Sequence, residues 1–159
     1  MQVVSSFVKD PQMDALRLPP QSIEAEQSVL GGLLLDNTAW DRVSDIVGEN
    51  EFYRADHRLI FQHIILLIEN GKPADVLTVA ESLERSAKLE EAGGQAYLGS
   101  LALNTPSAAN IRRYAEIVRE RAIMRQLAAA GTEIADAAYN PADRKSTRLN
   151  SSHIPLSRM

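Results

Sequence analysis

The fold of this chain is decided by residues 22–34, Ser-Ile-Glu-Ala-Glu-Gln-Ser-Val-Leu-Gly-Gly-Leu-Leu. Ser22 is a good helix N-cap, and Glu24 places a negative charge in the first turn, where the helix dipole favours it. Apolar residues then recur at helical spacing. Two glycines inside a helix cost about 1 kcal/mol each relative to alanine. We interpret Gly31 and Gly32 as a point of close helix–helix approach, with a merely weak helix as the alternative.

Helical patterns continue on the C-terminal side of this segment. Apolar periodicity and end residues predict four further helices: one from Thr38 with Asp41 in a partial capping box, one from Asp56 to Asn70-Gly71, one capped by Asp75, and one around residues 97–103. No Asn-Gly or Asp-Gly hairpin turn separates alternating runs. We therefore predict an all-α fold, with a compact helical domain at residues 18–106 after a flexible leader at residues 1–17.

A long helix is predicted after Pro106. It begins near residues 107–110, ends at about Ala138 and is well above the typical helix length. At 100° per residue, apolar side chains gather on one side of this helix. We call them the stripe and take them as the candidate protein interface: Ile117, Met124, Leu127, Ala128, Gly131, Ile134, Ala135 and Ala138. The other side carries Arg119, Gln126, Thr132 and Glu133.

Residues 143–159 differ in character from the rest of the chain. They are polar and basic, with no helical or alternating period. Residues 143–153 resemble the translation of a common sequencing-adapter oligonucleotide, so we interpret residues 143–159 as a sequencing-adapter artefact, with a natural disordered tail as the alternative. The formal net charge is −4 for the whole chain and about −7 without this segment. Its basic residues are therefore not interpreted as a DNA-binding arm.

Composition argues against several classes of protein. The chain has 159 residues and no cysteine, which excludes a disulfide framework and a thiolate metal site. That composition fits the cytoplasm, where we expect the protein to act. No run approaches the ~18 apolar residues that span a bilayer, and no secretory signal is apparent, so no membrane association is expected. The mildly acidic balance does not suggest a surface that binds nucleic-acid phosphates.

No catalytic, cofactor-binding or metal-binding residue is assigned from the sequence. Gly71-Lys72 precedes a proline and lacks the upstream glycine of a Gly-x-x-x-x-Gly-Lys-Ser/Thr phosphate-binding loop, so it is interpreted as a helix terminator. His57 and His63 are placed on different faces of a helix, which favours structural roles over a metal site. Four glutamates are expected on solvated helix surface: Glu24, Glu26, Glu81 and Glu84.

Residues 112–121 form a basic segment that carries an aromatic residue. A nucleic-acid-binding role would place the arginines on phosphates and use Tyr114 as a stacking platform. Glu116 and Glu120 interleave with the arginines at helical spacing, which favours local salt bridges from Glu116 toward Arg119 or Arg121. We predict a solvated or intersubunit face here.

Four motifs carry a resemblance to a known family. In chain order they are LPPQSIEAEQSVLGG (residues 18–32), DHRLIF (56–61), AESLE (80–84) and NTPSAANI (104–111). Their order and spacing resemble the N-terminal domain of the DnaB family of bacterial replicative DNA helicases. The resemblance covers roughly residues 15–142.

The resemblance implies an interaction domain within a larger machine. The parent protein would be a hexameric helicase moving 5′ to 3′, with ATP, Mg²⁺ and single-stranded DNA held mainly by a C-terminal ATPase domain that is absent here. The present domain would form the collar, pair with its neighbour through a helical hairpin, and receive the primase, with a helicase loader as a further partner. Residues 107–142 would be the first arm of that hairpin. The stripe is therefore expected to be partly uncovered and to favour self-association.

Two rival hypotheses remain. The first is a free-standing, non-catalytic helical adaptor that binds replication partners. Its gene would stop soon after residue 142, whereas a helicase gene would continue into a second hairpin arm and a phosphate-binding loop. The second is a DNA-binding helical domain, disfavoured by the acidic balance, whose affinity for DNA would fall steeply with salt.

Overall fold

The computed structural model describes residues 18–140. Within that range the chain forms six α-helices and two 3₁₀ turns and no strand, which confirms the predicted all-α class. The predicted flexible leader (residues 1–17) and the predicted artefact (residues 143–159) lie outside the described residues. The helices are α1 (Ile23–Leu35), α2 (Trp40–Val43), α3 (Ala55–Glu69), α4 (Val76–Arg85), α5 (Gly94–Leu103) and α6 (Ile111–Tyr139), and the 3₁₀ turns are Asn37–Ala39 and Glu49–Glu51.

Helix α1 is the centre of the domain and packs against α3, α5 and α6. Ser22 caps it as predicted, because its Oγ accepts a hydrogen bond from the backbone N–H of Ala25 at 3.3 Å. Val29, Leu30 and Leu33 have no exposed surface. A helix with neighbours on several sides buries apolar residues around most of its circumference. The residues that decided the fold in sequence therefore hold the middle of the core.

The two glycines of α1 mark a close approach, as predicted. A Cβ atom on Gly31 would lie 2.0 Å from Oγ1 of Thr105 and 2.4 Å from the carbonyl oxygen of Leu101. A Cβ atom on Gly32 would lie 3.0 Å from Cδ1 of Ile111, at the start of α6. Any side chain at Gly31 would push α1 away from the connection between α5 and α6.

Two further predicted helix ends are confirmed, and one is wrong. Asp75 caps α4, with Oδ1 accepting from the N–H of Thr78 at 2.9 Å, and Gly71 follows α3 with a φ of +71°. The predicted start at Thr38 is wrong. Asp36 is the capping residue there, because its Oδ1 accepts from both N–H and Oγ1–H of Thr38, at 3.0 and 2.6 Å. The hydroxyl of Thr38 thereby lowers the pKa of Asp36.

An aromatic cluster joins α2 and α3. The ring centroids of Phe52 and Phe61 lie 4.8 Å apart. The ring of Trp40 meets Phe61 edge to face at 5.7 Å. Phe52 and Phe61 are buried, whereas Trp40 is half-buried at the edge of the core. The cluster therefore extends from the core to the surface beside α3.

Candidate interaction surface

Helix α6 has two apolar faces. The face toward the domain is formed by four buried residues spaced by four, three and four positions: Ile111, Ala115, Val118 and Ala122. This face packs against α1 and α2. This face is not among the predictions made from the sequence, although its helical spacing is the signal that marks it. The N-terminal half of α6 is therefore part of the core.

Arg125 is the residue at which α6 leaves the domain. Its guanidinium donates to the carbonyl oxygen of Pro20 at 2.8 Å and to that of Glu51 at 2.7 Å. It also lies 5.4 Å from the centroid of the Tyr53 ring, in a cation–π geometry. From residue 126 to residue 140 every residue except the half-buried Ala137 is exposed. At 1.5 Å per residue, α6 thus extends about 20 Å beyond Arg125.

The stripe lies on the side of α6 opposite to its buried face, at 100° per residue. Ile117 is half-buried against the core. Beyond it, Met124, Leu127 and Ile134 are 48%, 72% and 71% exposed. The small residues of the stripe are also exposed: Ala128, Gly131, Ala135 and Ala138. The stripe is thus largely exposed within residues 18–140, and its role as an interface stays a prediction.

The basic segment at the start of α6 pairs with its surroundings. Arg112 donates to the carbonyl oxygen of Arg42 at 3.0 Å and lies 3.9 Å from Asp45. Arg113 pairs with Glu116 at 3.7 Å and with Glu120 at 3.4 Å. Local salt bridges form here, but the predicted pairing of Glu116 with Arg119 or Arg121 is wrong: the cation is Arg113, which precedes the glutamates on the same face of the helix. Exposed pairs of this kind contribute about 0–1 kcal/mol.

Tyr114 packs half-buried against the core. That position counts against the stacking platform of the nucleic-acid hypothesis, which needs a freely exposed ring.

Glu26 is buried, so its predicted place on a solvated surface is wrong. It is 1% exposed and His57 is fully buried. The Glu26 carboxylate accepts from the N–H of Tyr53 at 2.6 Å and lies 2.7 Å from Nδ1 of His57. Burial of a carboxylate is tolerated when hydrogen bonds replace those lost to water. The other three glutamates are exposed, as predicted: Glu24, Glu81 and Glu84.

The buried network continues from Glu26 through His57 to α5. Because the Glu26 carboxylate can only accept, Nδ1 of His57 donates to it, and Nε2 faces α5. Nε2 lies 2.6 Å from the hydroxyl of Tyr97, which also accepts from the side-chain amide of Gln27 at 3.1 Å. The network joins α1, α3 and α5, which supports a structural role for His57.

Arg54 covers the surface side of this network. Its guanidinium forms an ion pair with Asp56 and lies 5.4 Å from the centroid of the Tyr97 ring. The hydrogen bond to Asp56 raises the pKa of Arg54.

His63 forms a second buried link, between α3 and α4. Its Nδ1 lies 2.8 Å from Oγ of Ser82, and burial lowers the pKa of the imidazole. Across residues 18–140, no group of three or more histidine, aspartate or glutamate side chains has the arrangement of a metal site. In the same range, no helix has both the length and the apolar content needed to span a bilayer.

Residues 18–120 match a family model described as the DnaB-like helicase N terminal domain. The chain belongs to this family. Over 140 residues, this DnaB-like domain is 46% identical to the replicative DNA helicase DnaB of Buchnera aphidicola subsp. Baizongia pistaciae, covering 88% of this chain and 30% of that protein. The chain thus spans about 30% of the length of that curated relative. The family suggested by the four sequence motifs is confirmed.

Solved structures share the fold of this DnaB-like domain. The crystal structure of the N-terminal domain of DnaB helicase from Mycobacterium tuberculosis matches with a TM-score of 0.75 and 42% identity, over 77% of this chain and 85% of that one. A structure of the N-terminal domain of DnaB helicase from Helicobacter pylori, described together with its interactions with primase, matches with a TM-score of 0.64 and 22% identity. That match covers 83% of this chain and 100% of the other, and it shows the fold alone.

Proposed function

We propose that this chain is the N-terminal collar and interaction domain of a replicative, ATP-dependent 5′ to 3′ DNA helicase. Within that helicase, the role of this domain is to assemble the subunits and to bind partner proteins. ATP, Mg²⁺ and single-stranded DNA are bound mainly by the remainder of the parent protein, because no phosphate-binding loop occurs in the 159 residues. Family membership and the name of the relative from Buchnera aphidicola, a replicative DNA helicase, support this proposal. The role places the protein in the cytoplasm, with the chromosome.

The observation that carries the proposal is the uncovered stripe on the free half of α6. Met124, Ala128, Gly131, Ala135 and Ala138 follow one another at spacings of four and three. This is the repeat of a coiled-coil seam, in which side chains of one helix insert between those of another. A seam of small residues lets a second helix approach closely, since interaxial distance depends on the side chains at the contact. Leu127 and Ile134 flank the seam and add apolar area.

The proposed occupant of the seam is another helix of the same protein. In a helical hairpin that helix is the following arm of the same chain, and in the assembled collar it is the hairpin of a neighbouring subunit. Either arrangement covers the exposed leucine and isoleucine of the stripe, Leu127 and Ile134, and burial of apolar area favours association by about 25 cal/mol per Å². Pairs formed in this way are the units from which we propose the hexamer is built.

Primase is the proposed external partner, with a helicase loader as a further one. The Helicobacter pylori domain, which is described together with its interactions with primase, shares this fold, and that supports the primase proposal. The direct test is a pull-down of the helicase-binding domain of a bacterial primase by the 159-residue chain. Retention at physiological salt supports primase docking. Failure to retain it at any salt concentration contradicts primase docking and leaves the assembly role to be tested separately.

The proposal that this chain is part of a longer helicase is tested by sequencing the gene. Source DNA is amplified and sequenced across the codon for Ala142. The proposal predicts a frame that continues into a second helix and then a glycine-rich Lys-Ser/Thr loop. A genuine stop after Met159 would instead contradict the adapter interpretation of residues 143–159 and favour the free-standing adaptor.

A further inference from the structure

A second surface feature lies on the compact part of the domain, apart from α6. It is a groove between α2, the 3₁₀ turn Glu49–Glu51 and the C-terminal half of α3, with a volume of about 350 Å³. We call it the α3 groove and define it by six residues that line it: Trp40, Glu49, Phe61, Ile65, Leu66 and Glu69.

The floor of the α3 groove is apolar and partly aromatic. Phe61 is 3% exposed and is held from below by Phe52, whereas Trp40 reaches it edge to face at 5.7 Å. Leu66 also lines the groove, and 53% of its surface is exposed to solvent. A rigid aromatic floor beside an exposed leucine is the arrangement that receives an apolar anchor side chain of a protein partner.

The rim of the α3 groove is acidic. Glu49 and Glu69 both line it, no lysine, arginine or histidine does, and neither glutamate forms an ion pair within residues 18–140. Glu69 is the last residue of α3, whose final turn contains no basic residue. The negative end of the helix dipole therefore adds to the charge of Glu69. The groove is therefore complementary to a partner segment that has one apolar group with a cationic side chain on each side of it.

Glu49 and Glu69 line the groove beside different levels of α3. Glu49 also lines a neighbouring hollow with Leu59 and Gln62, which places it beside the middle of α3. Glu69 lies seven residues after Gln62. The levels of Gln62, beside Glu49, and of Glu69 are therefore separated by about 10 Å along the axis of α3, at 1.5 Å per residue. Two side chains seven residues apart on a partner helix have the same separation and share a face.

We propose that the α3 groove binds an amphipathic helix of a protein partner, with an apolar anchor between two lysines or arginines seven residues apart. The anchor packs on Trp40, Phe61 and Leu66, and the cations approach Glu49 and Glu69. This mode is the insertion of a helix into an apolar groove, with the charges fixing its direction and register. The site is separate from the stripe, so the domain has two independent surfaces for association.

The test uses the fluorescence of Trp40, the only tryptophan of the chain. The probe is a synthetic 14-residue amphipathic helix, acetylated and amidated, with leucines between two lysines at positions i and i+7. The matched probe has glutamates in place of those lysines. We expect saturable change of Trp40 fluorescence with the lysine peptide and not with the glutamate peptide.

Variants assign the binding to the groove. The double variant Glu49→Gln, Glu69→Gln should weaken binding about tenfold, as expected for two rim ion pairs. Leu66→Asp should abolish it, and its surface position leaves the fold intact by circular dichroism. The control Glu84→Gln, Glu133→Gln removes the same charge from exposed sites elsewhere and should change nothing.

Three outcomes would overturn the proposal. One is the absence of saturable binding up to millimolar peptide. Another is equal weakening by the control double variant, which would show unspecific attraction to an acidic protein. The third is a loss of self-association in Leu66→Asp by sedimentation without peptide, which would make a second copy of this chain the occupant.

Discussion

Nδ1 of His57 lies 2.7 Å from Oε1 of Glu26, and both side chains are buried in the interior of the domain. The pair joins α3 to the central helix α1, and the Tyr97 hydroxyl extends it to α5. Removing one partner of a buried pair leaves an uncompensated polar group, which costs more than the pair itself contributes.

We therefore predict that Glu26→Ala lowers the free energy of unfolding by about 2–5 kcal/mol, because the buried N–H groups of Tyr53 and His57 each lose their acceptor. Urea titration followed by circular dichroism measures the change. The control is Glu24→Ala, two positions earlier on the exposed side of α1, which should cost less than about 1 kcal/mol through the helix dipole. Similar losses of unfolding free energy in both variants would show that the buried network stabilises the fold no more than an exposed charge does.

The two glycines Gly31 and Gly131 should respond to alanine in opposite directions. Gly31→Ala places a methyl group 2.0 Å from Oγ1 of Thr105, so α1 must shift, and overpacking of this kind costs about 1–3 kcal/mol. A Cβ atom on Gly131 meets nothing within 4 Å, so Gly131→Ala should stabilise α6 by up to about 1 kcal/mol. Thermal melts of both variants decide this. Stabilisation by Gly31→Ala would contradict the close-approach interpretation.

Arg125 should hold the middle of α6 against the domain. Arg125→Ala removes the hydrogen bonds to the carbonyl oxygens of Pro20 and Glu51 and should destabilise the domain by about 1.5–3 kcal/mol. Hydrogen exchange should increase around residues 118–125. Arg119→Ala, an exposed position on the same helix, serves as the control and should leave exchange unchanged. Equal hydrogen-exchange rates around residues 118–125 in both variants would contradict the anchoring role of Arg125.

His63 should make the stability depend on pH. Burial lowers the pKa of His63 below its ordinary value of about 6.5, because the charged imidazole is desolvated. As pH falls below about 6.5, the unfolded chain binds a proton that the folded chain does not, so the free energy of unfolding falls until the lower folded pKa is reached. Above about pH 6.5 the contribution is fully present.

His63→Gln should remove this part of the pH dependence. The variant keeps a hydrogen-bonding group near Ser82 but has no titrating imidazole. The measurement is the difference in unfolding free energy between neutral pH and about pH 5, by urea titration of both proteins. An unchanged difference would assign the pH dependence to other groups.

The fold class and the place of the stripe could be predicted because both follow from local sequence. Capping at Ser22, the glycine after α3 and the spacing of apolar residues in α6 are set by residues within a few positions of each other. Asp36 was missed as a cap because Thr38 also has capping chemistry and lies two positions away.

The burial of Glu26 could not be predicted, because its partners are distant in the chain. His57 lies 31 residues away from it, and Tyr97 a further 40. A glutamate in a first helical turn ordinarily faces solvent, and only the packing of α1 between three helices turns this one inward. The α3 groove likewise depends on how Trp40 and Phe61 meet in three dimensions.

The measurement that tests the central claim most directly is the sedimentation velocity of the 159-residue chain and two variants over a range of concentrations. Leu127 is 72% exposed on the stripe, whereas Gln126 is exposed on another side of α6. We predict that the unaltered chain and Gln126→Asp associate as concentration rises. Leu127→Asp should remain monomeric, because association would bury its charge in an apolar seam. Association of Leu127→Asp equal to that of the unaltered chain would contradict the account, as would a monomer at every concentration for the unaltered chain.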